Sequence, residues 1–120
     1  MVLKRKGALS WADDKSLRAV CTVSKRYGQG AAGYWYGYSP EWRKFLSEGQ
    51  NSFLVLGCVD RNTAYAVPAP ELEKIIDDLN RTPDRHWHII LDENEMGGLE
   101  LVPKSGPRIS LNKFELKLVE

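Results

Sequence analysis

Apolar positions along this 120-residue chain alternate in short runs and twice switch to helical spacing. LRAVCTVSKRY (17–27) is rich in β-branched residues and reads as a strand. Alternation sets Ala19, Cys21, Val23, Lys25 and Tyr27 on one face and Val20, Thr22, Ser24 and Arg26 on the other. Three glycines in GQGAAG (28–33) make a flexible turn, and GYWYGY returns as a second strand, so that the pair predicts a β-hairpin with a long loop. In that second strand Tyr34, Tyr36 and Tyr38 share one face, and Trp35 and Gly37 share the other. One face can be core; the other is either covered or meets solvent.

SPEWRKFLSEG (39–49) predicts a short helix. Ser39 is the N-cap, Pro40 takes the first helical position, Glu41 lies in the first turn and Gly49 closes the end. Trp42, Phe45 and Leu46 form its apolar stripe, which marks Trp42 as core. SFLVLGCVD (52–60) is almost continuously apolar, as a central strand buried on both faces is. Arg61 and Asn62 turn the chain into TAYAVP (63–68), and PELEKIIDDLN (70–80) is a second helix burying Leu72, Ile75, Ile76 and Leu79. After a loop, RTPDR, come the strand HWHIIL (86–91), an acidic turn DENEMGG and a returning strand LELV (99–102). The C-terminal segment reads as an irregular stretch with a last strand or short helix.

At the other end, residues 1–9 read as a loose basic tail, and Ser10, Asp13 and Asp14 as turn or cap residues of a short helix. The order strand-strand-helix, strand-strand-helix, strand-strand implies the α+β class: one domain with a mostly antiparallel sheet and its helices packed on one face.

Composition is ordinary for a globular chain, with 42% hydrophobic and 28% charged residues. No apolar run reaches the roughly 20 residues of a membrane helix, and no secretory signal follows the basic start, so a cytoplasmic protein without a membrane partner is expected. Net charge is +1 but unevenly spread: residues 1–50 carry nine Lys/Arg against four Asp/Glu, and residues 51–103 carry four against ten. A basic first half could meet a polyanion, although a solvated surface accounts for it equally simply. Cys21 and Cys58 both sit in apolar runs without a C-x-x-C pair, which reads as two small buried thiols.

Two constellations could carry function. Lys25 and Arg26 end the first strand, the row Tyr34, Tyr36, Tyr38 lies on the next, and Arg43 follows on the helix. Cations beside aromatic rings on a sheet are what phosphate contact and base stacking require, so DNA or RNA is the candidate partner. The plainer alternative is core tyrosines and solubilising cations. His86 and His88 share one face of a strand, as two imidazole ligands of a metal can, with Asp60 as the candidate third ligand and Cys58, Asp92 or Glu93 as substitutes. Against this, none has a diagnostic spacing. A nuclease reading would use Asp60 at the end of a central strand and Lys25 from the hairpin, but no E-x-K or D-x-K follows. No phosphate-binding or dinucleotide motif calls for a cofactor, and the glycines of GQGAAG lack a following helix.

The blocks AVCTVSKRY, YWYGYSPEWRKFL, FLVLGC, AYAVP and HWHI, in that order over residues 17–91, resemble an uncharacterised small bacterial domain type. Some of its members look associated with restriction or mobile-element proteins, so the resemblance implies a nucleic-acid setting. The leading expectation is a nucleic-acid-associated binding module without catalysis of its own. The alternatives are a metal-dependent nuclease or hydrolase, and a protein-interaction domain that presents the aromatic row to another protein.

Overall fold

The computed structural model describes the backbone of residues 4–5, 10–12, 17–25, 33–61, 63–83 and 85–117, and the side chains of these except 4, 5, 10, 11 and 117. Two mostly antiparallel sheets and two helices make it an α+β fold. The strands are β1 (Lys4–Arg5), β2 (Ser10–Ala12), β3 (Leu17–Ser24), β4 (Tyr34–Tyr38), β5 (Asn51–Cys58), β6 (Thr63–Pro68), β7 (Asn80–Arg81), β8 (Trp87–Glu93), β9 (Leu99–Leu101), β10 (Ile109–Ser110) and β11 (Glu115–Lys117). The helices are α1 (Pro40–Ser47) and α2 (Ala69–Ile75), the latter running into a 3-10 turn at Ile76–Asp78.

The first sheet has six strands in the order β1-β2-β3-β5-β6-β11, with only β3 and β5 parallel. The second runs β10-β9-β8-β4, with β7 beside the start of β8. One buried cluster joins them: Val20, Leu54, Leu56 and Tyr65 from the first sheet, Tyr36, Ile89, Leu91 and Leu101 from the second, and Leu46 and Leu72 from the helices. The sheets therefore pack face to face, and α1 and α2 fill the same side of the first sheet, against β3, β5 and β6. Among the described residues no helix is long and apolar enough to cross a membrane.

Helix α1 forms where its punctuation places it. The Ser39 side chain accepts from the Trp42 amide at 3.1 Å, Pro40 opens the first turn, and the Gly49 amide closes on the Leu46 carbonyl at 3.2 Å. Leu46 is buried, with Trp42 and Phe45 packed against the core at its side.

The predicted hairpin is replaced by a crossing. β3 lies between β2 and β5, and β4 leaves the first sheet to pair with β8, Tyr34 opposite Leu91 and Tyr38 opposite Trp87. The cause is that β3 finds a parallel partner in the apolar strand β5, which places it centrally, while the tyrosine row needs a second layer to bury it. The Trp35 amide, donating to Ser24 Oγ at 3.1 Å, marks the crossing point. The segment read as a tail contains β1, with Lys4 opposite Ala12 and Arg5 opposite Trp11; Ser10 opens a strand, and Asp13 and Asp14 lie outside the described residues. The second helix ends earlier than its stripe suggests, and Asn80–Arg81 become β7.

Candidate nucleic-acid interface

The tyrosine row points inward. Tyr34, Tyr36 and Tyr38 are buried, and each ring reaches toward the first sheet or the helices. The Tyr34 hydroxyl donates to the Asp60 carboxylate. The Tyr36 hydroxyl donates to the Gly57 carbonyl at 2.7 Å and lies 3.5 Å from Cys58 Sγ. Tyr38 packs on Trp87 with ring centroids 6.0 Å apart. Burial pushes the Tyr36 hydroxyl well above the usual phenol range and Tyr38 up to about 12, where the Glu73 carboxylate adds to the effect. These rings are core, and their faces are closed to a base or to a partner protein.

Arg43 is engaged inside the molecule. Its guanidinium meets both Glu73 oxygens, at 3.0 Å from Nε and 2.6 Å from Nη2, and sits 5.1 Å from the Trp87 ring centre. The hydrogen bonds it donates to Glu73 hold its pKa above the ordinary arginine value. Lys25 is exposed just beyond β3, and Arg26 lies outside the described residues.

The histidines lie on the outer face of the second sheet, opposite the tyrosines. Trp35 and Gly37 of β4 share this face with His88 and Ile90 of β8, since Trp35 stands opposite Ile90 and Gly37 opposite His88. Trp35 is 44% exposed. Its ring lies 5.2 Å from that of His88, tilted by 55°. His86 packs over Gly37 so closely that a Cβ there would come within 3.3 Å of the imidazole Cδ2. Three ring systems thus form one surface around a glycine, and among the described residues no helix packs over it.

The ring surface is held from the side. The Thr82 hydroxyl and His88 Nε2 are 2.9 Å apart. The Thr82 amide donates to the His86 carbonyl at 3.1 Å, and the Arg85 amide to the Thr82 carbonyl at 2.9 Å, closing the turn that carries His86. Arg81 Nε donates to the Arg85 carbonyl at 3.2 Å while its guanidinium covers the Trp87 ring at 4.1 Å. Farther along the same face, Arg108 pairs with Asp92 at 3.3 Å and with Glu100 at 3.6 Å, which offsets the acidic end.

A three-ligand metal set does not assemble. Asp60 bonds Tyr34 on the inner side of the second sheet, whereas His86 and His88 occupy its outer side. Cys58 is buried against Tyr36, and Glu93 pairs with Arg61 at 3.3 Å. Asp92 shares the histidines' face but stands four residues from His88, about 13 Å along the strand. Among the described residues no three His, Cys, Asp or Glu side chains are placed to hold one ion.

Trp35, at the centre of this ring surface, is not among the residues that the sequence pattern singles out as candidates, although strict alternation already sets it opposite the tyrosines. No protein-family profile, curated protein or solved structure gives a significant match to the chain.

Proposed function

We propose that this protein binds single-stranded nucleic acid on the outer face of its second sheet and performs no chemistry on it. The observation that carries the reading is the Trp35–His88–His86 ring surface, on a sheet face that no described element covers, with Trp35 nearly half exposed. Planar rings on an open sheet take unstacked bases by their faces, whatever the base. Arg85 beside His86 is an exposed cation at the rim that suits phosphates. In duplex DNA the base faces are stacked away, so the surface favours single strands or loops. The nucleic-acid reading from the sequence is kept, but its aromatic contacts move from the tyrosines to Trp35 and the two histidines.

Fluorescence anisotropy with labelled single- and double-stranded oligonucleotides, at low and moderate salt, tests it. Saturable binding that prefers single strands and weakens with salt is the expected result. Trp35→Ala lowers affinity roughly 5- to 150-fold, the equivalent of one lost base stack. Absence of binding at low salt, or affinity indifferent to Trp35→Ala, overturns the reading.

A further inference from the structure

The outer face of the six-stranded sheet lies on the opposite side of the molecule and has a different character. β3 turns Leu17, Cys21 and Val23 outward, β5 turns Phe53 and Val55, and β11 turns Leu116. Gly57 faces the same way, since a Cβ there would lie 2.8 Å from Val23 Cγ1. Among the described outward positions of β3, β5 and β6 there is no Asp, Glu, Lys or Arg. Val23 is 71% exposed, Val59 at the end of β5 68%, and Leu116 46%. Between these raised side chains lies a hollow of about 310 Å³ lined by Leu17, Ala19, Phe53, Val55, Ala66 and Leu116.

A parallel strand pair is ordinarily covered on both faces, and the outward positions of β3 and β5 fit that rule, apolar in all but Asn51. The fold covers one face, with the second sheet and the helices. An apolar face of this kind, without charge at the described positions of β3, β5 and β6, marks an interaction surface.

We propose that a second copy of this chain covers it, two six-stranded sheets packing face to face about a two-fold axis. Three features of the face favour a second copy. First, the described outward positions of its three longest strands are uncharged, so two copies meet there without like-charge repulsion, and a two-fold interface asks only for self-complementarity. Second, raised side chains beside a hollow allow one copy to seat in the other at the usual sheet spacing of about 10 Å. Third, the area suffices. The six strands hold 30 residues, which at about 3.3 Å per residue and about 4.8 Å between strands give roughly 480 Å² of flat face per copy. Two copies reach about 1,000 Å² before side-chain relief is added, the threshold for a specific interface. The two ring surfaces would then point outward from opposite sides of the dimer, each open to its own strand.

Sedimentation velocity of the full chain over a dilution series from submillimolar to low micromolar tests the proposal. A dimer that dissociates on dilution is expected. Val23→Lys and Val55→Lys each place a charge in the face and weaken association at least about 100-fold. Val23 is largely exposed, so Val23→Lys leaves the monomer folded, which circular dichroism checks. A second readout is the Cys21 thiol, half-buried on this face while Cys58 is buried inside. Its alkylation should be slow in the concentrated protein and fast in the dilute protein or in either variant. A chain monomeric at every concentration overturns the proposal, as does a dimer that both variants leave intact. Capture of a different protein by a monomeric chain would assign the face to that partner and overturn it equally.

Discussion

The Tyr36 hydroxyl donates to the Gly57 carbonyl at 2.7 Å, joining the edge strand of one sheet to the central strand of the other. The bond explains why this row is tyrosine rather than phenylalanine: the rings fill the space between the layers and the hydroxyls reach polar groups at the end of β5. Tyr36→Phe keeps the packing and removes the bond, so it should cost about 1 kcal/mol, read as a lower urea midpoint with unchanged slope. Tyr36→Ala also leaves a cavity and should cost about 3–5 kcal/mol. Oligonucleotide affinity of the folded Tyr36→Phe protein should equal that of the parent. A loss of affinity without a loss of stability would mean that the row touches ligand after all.

The same burial sets the alkaline limit of the fold. A buried phenol whose folded pKa lies above 10 binds its proton more tightly folded than unfolded, so stability falls as pH rises through the unfolded value. For Tyr38 the window runs from 10 to about 12, and beyond it the loss amounts to roughly 2–3 kcal/mol. Tyr36, shifted further in the same direction, adds to it. Tyrosinate absorbance should therefore rise in two parts, the later part coinciding with loss of tertiary circular dichroism. Smooth titration of all five tyrosines near pH 10 in a folded protein would contradict this placement.

Gly33 supplies a sharper test of the crossing between sheets. A Cβ at this position would lie 1.7 Å from the Leu91 carbonyl oxygen and 3.0 Å from Asp92 Cα, both backbone atoms that no side-chain rotation can move aside. Gly33→Ala must push β4 away from β8, and a cost of about 3 kcal/mol or more is expected in thermal or urea unfolding. Gly106→Ala offers a contrast, since nothing stands within 4 Å of the added Cβ and only the positive φ of 89° resists it, at about 1 kcal/mol.

Local features of this fold were legible in the sequence, and pairings were not. Ser39, Pro40 and Glu41 announce α1 because capping is short-range chemistry, and TAYAVP reads as β6 between its turn and its proline. Alternation sorts Tyr34, Tyr36 and Tyr38 from Trp35 correctly, but it says nothing of which face is inner. That choice depends on β8, about 50 residues away in the chain, whose Trp87, Ile89 and Leu91 face the same core. For the same reason the glycines of the loop read only as turn formers, while Gly33 serves close backbone contact. The continuous apolar run of β5 suggests burial on both faces; the fold covers one face.

The two aromatic-cation arrangements on either side of the second sheet can be separated by paired substitutions. Arg43 bonds both Glu73 oxygens over the Trp87 ring on the inner side, and both partners are about 40% exposed. Water screens such a pair, so a double-mutant cycle of Arg43→Ala with Glu73→Ala should give a coupling of about 0.5–1 kcal/mol that shrinks with added salt. Arg43→Ala should leave oligonucleotide affinity unchanged, because its charge is paired with Glu73 over the Trp87 ring and lies away from the Trp35 face. Arg85→Ala is the complement: an exposed residue whose side chain makes no hydrogen bond or ion pair among the described residues, beside His86 at the ring surface. It should leave the urea midpoint within about 0.5 kcal/mol and reduce the salt slope of binding by about one unit. If Arg43→Ala lowers affinity and Arg85→Ala does not, the ligand lies across the α1 end of the molecule rather than on the Trp35 face.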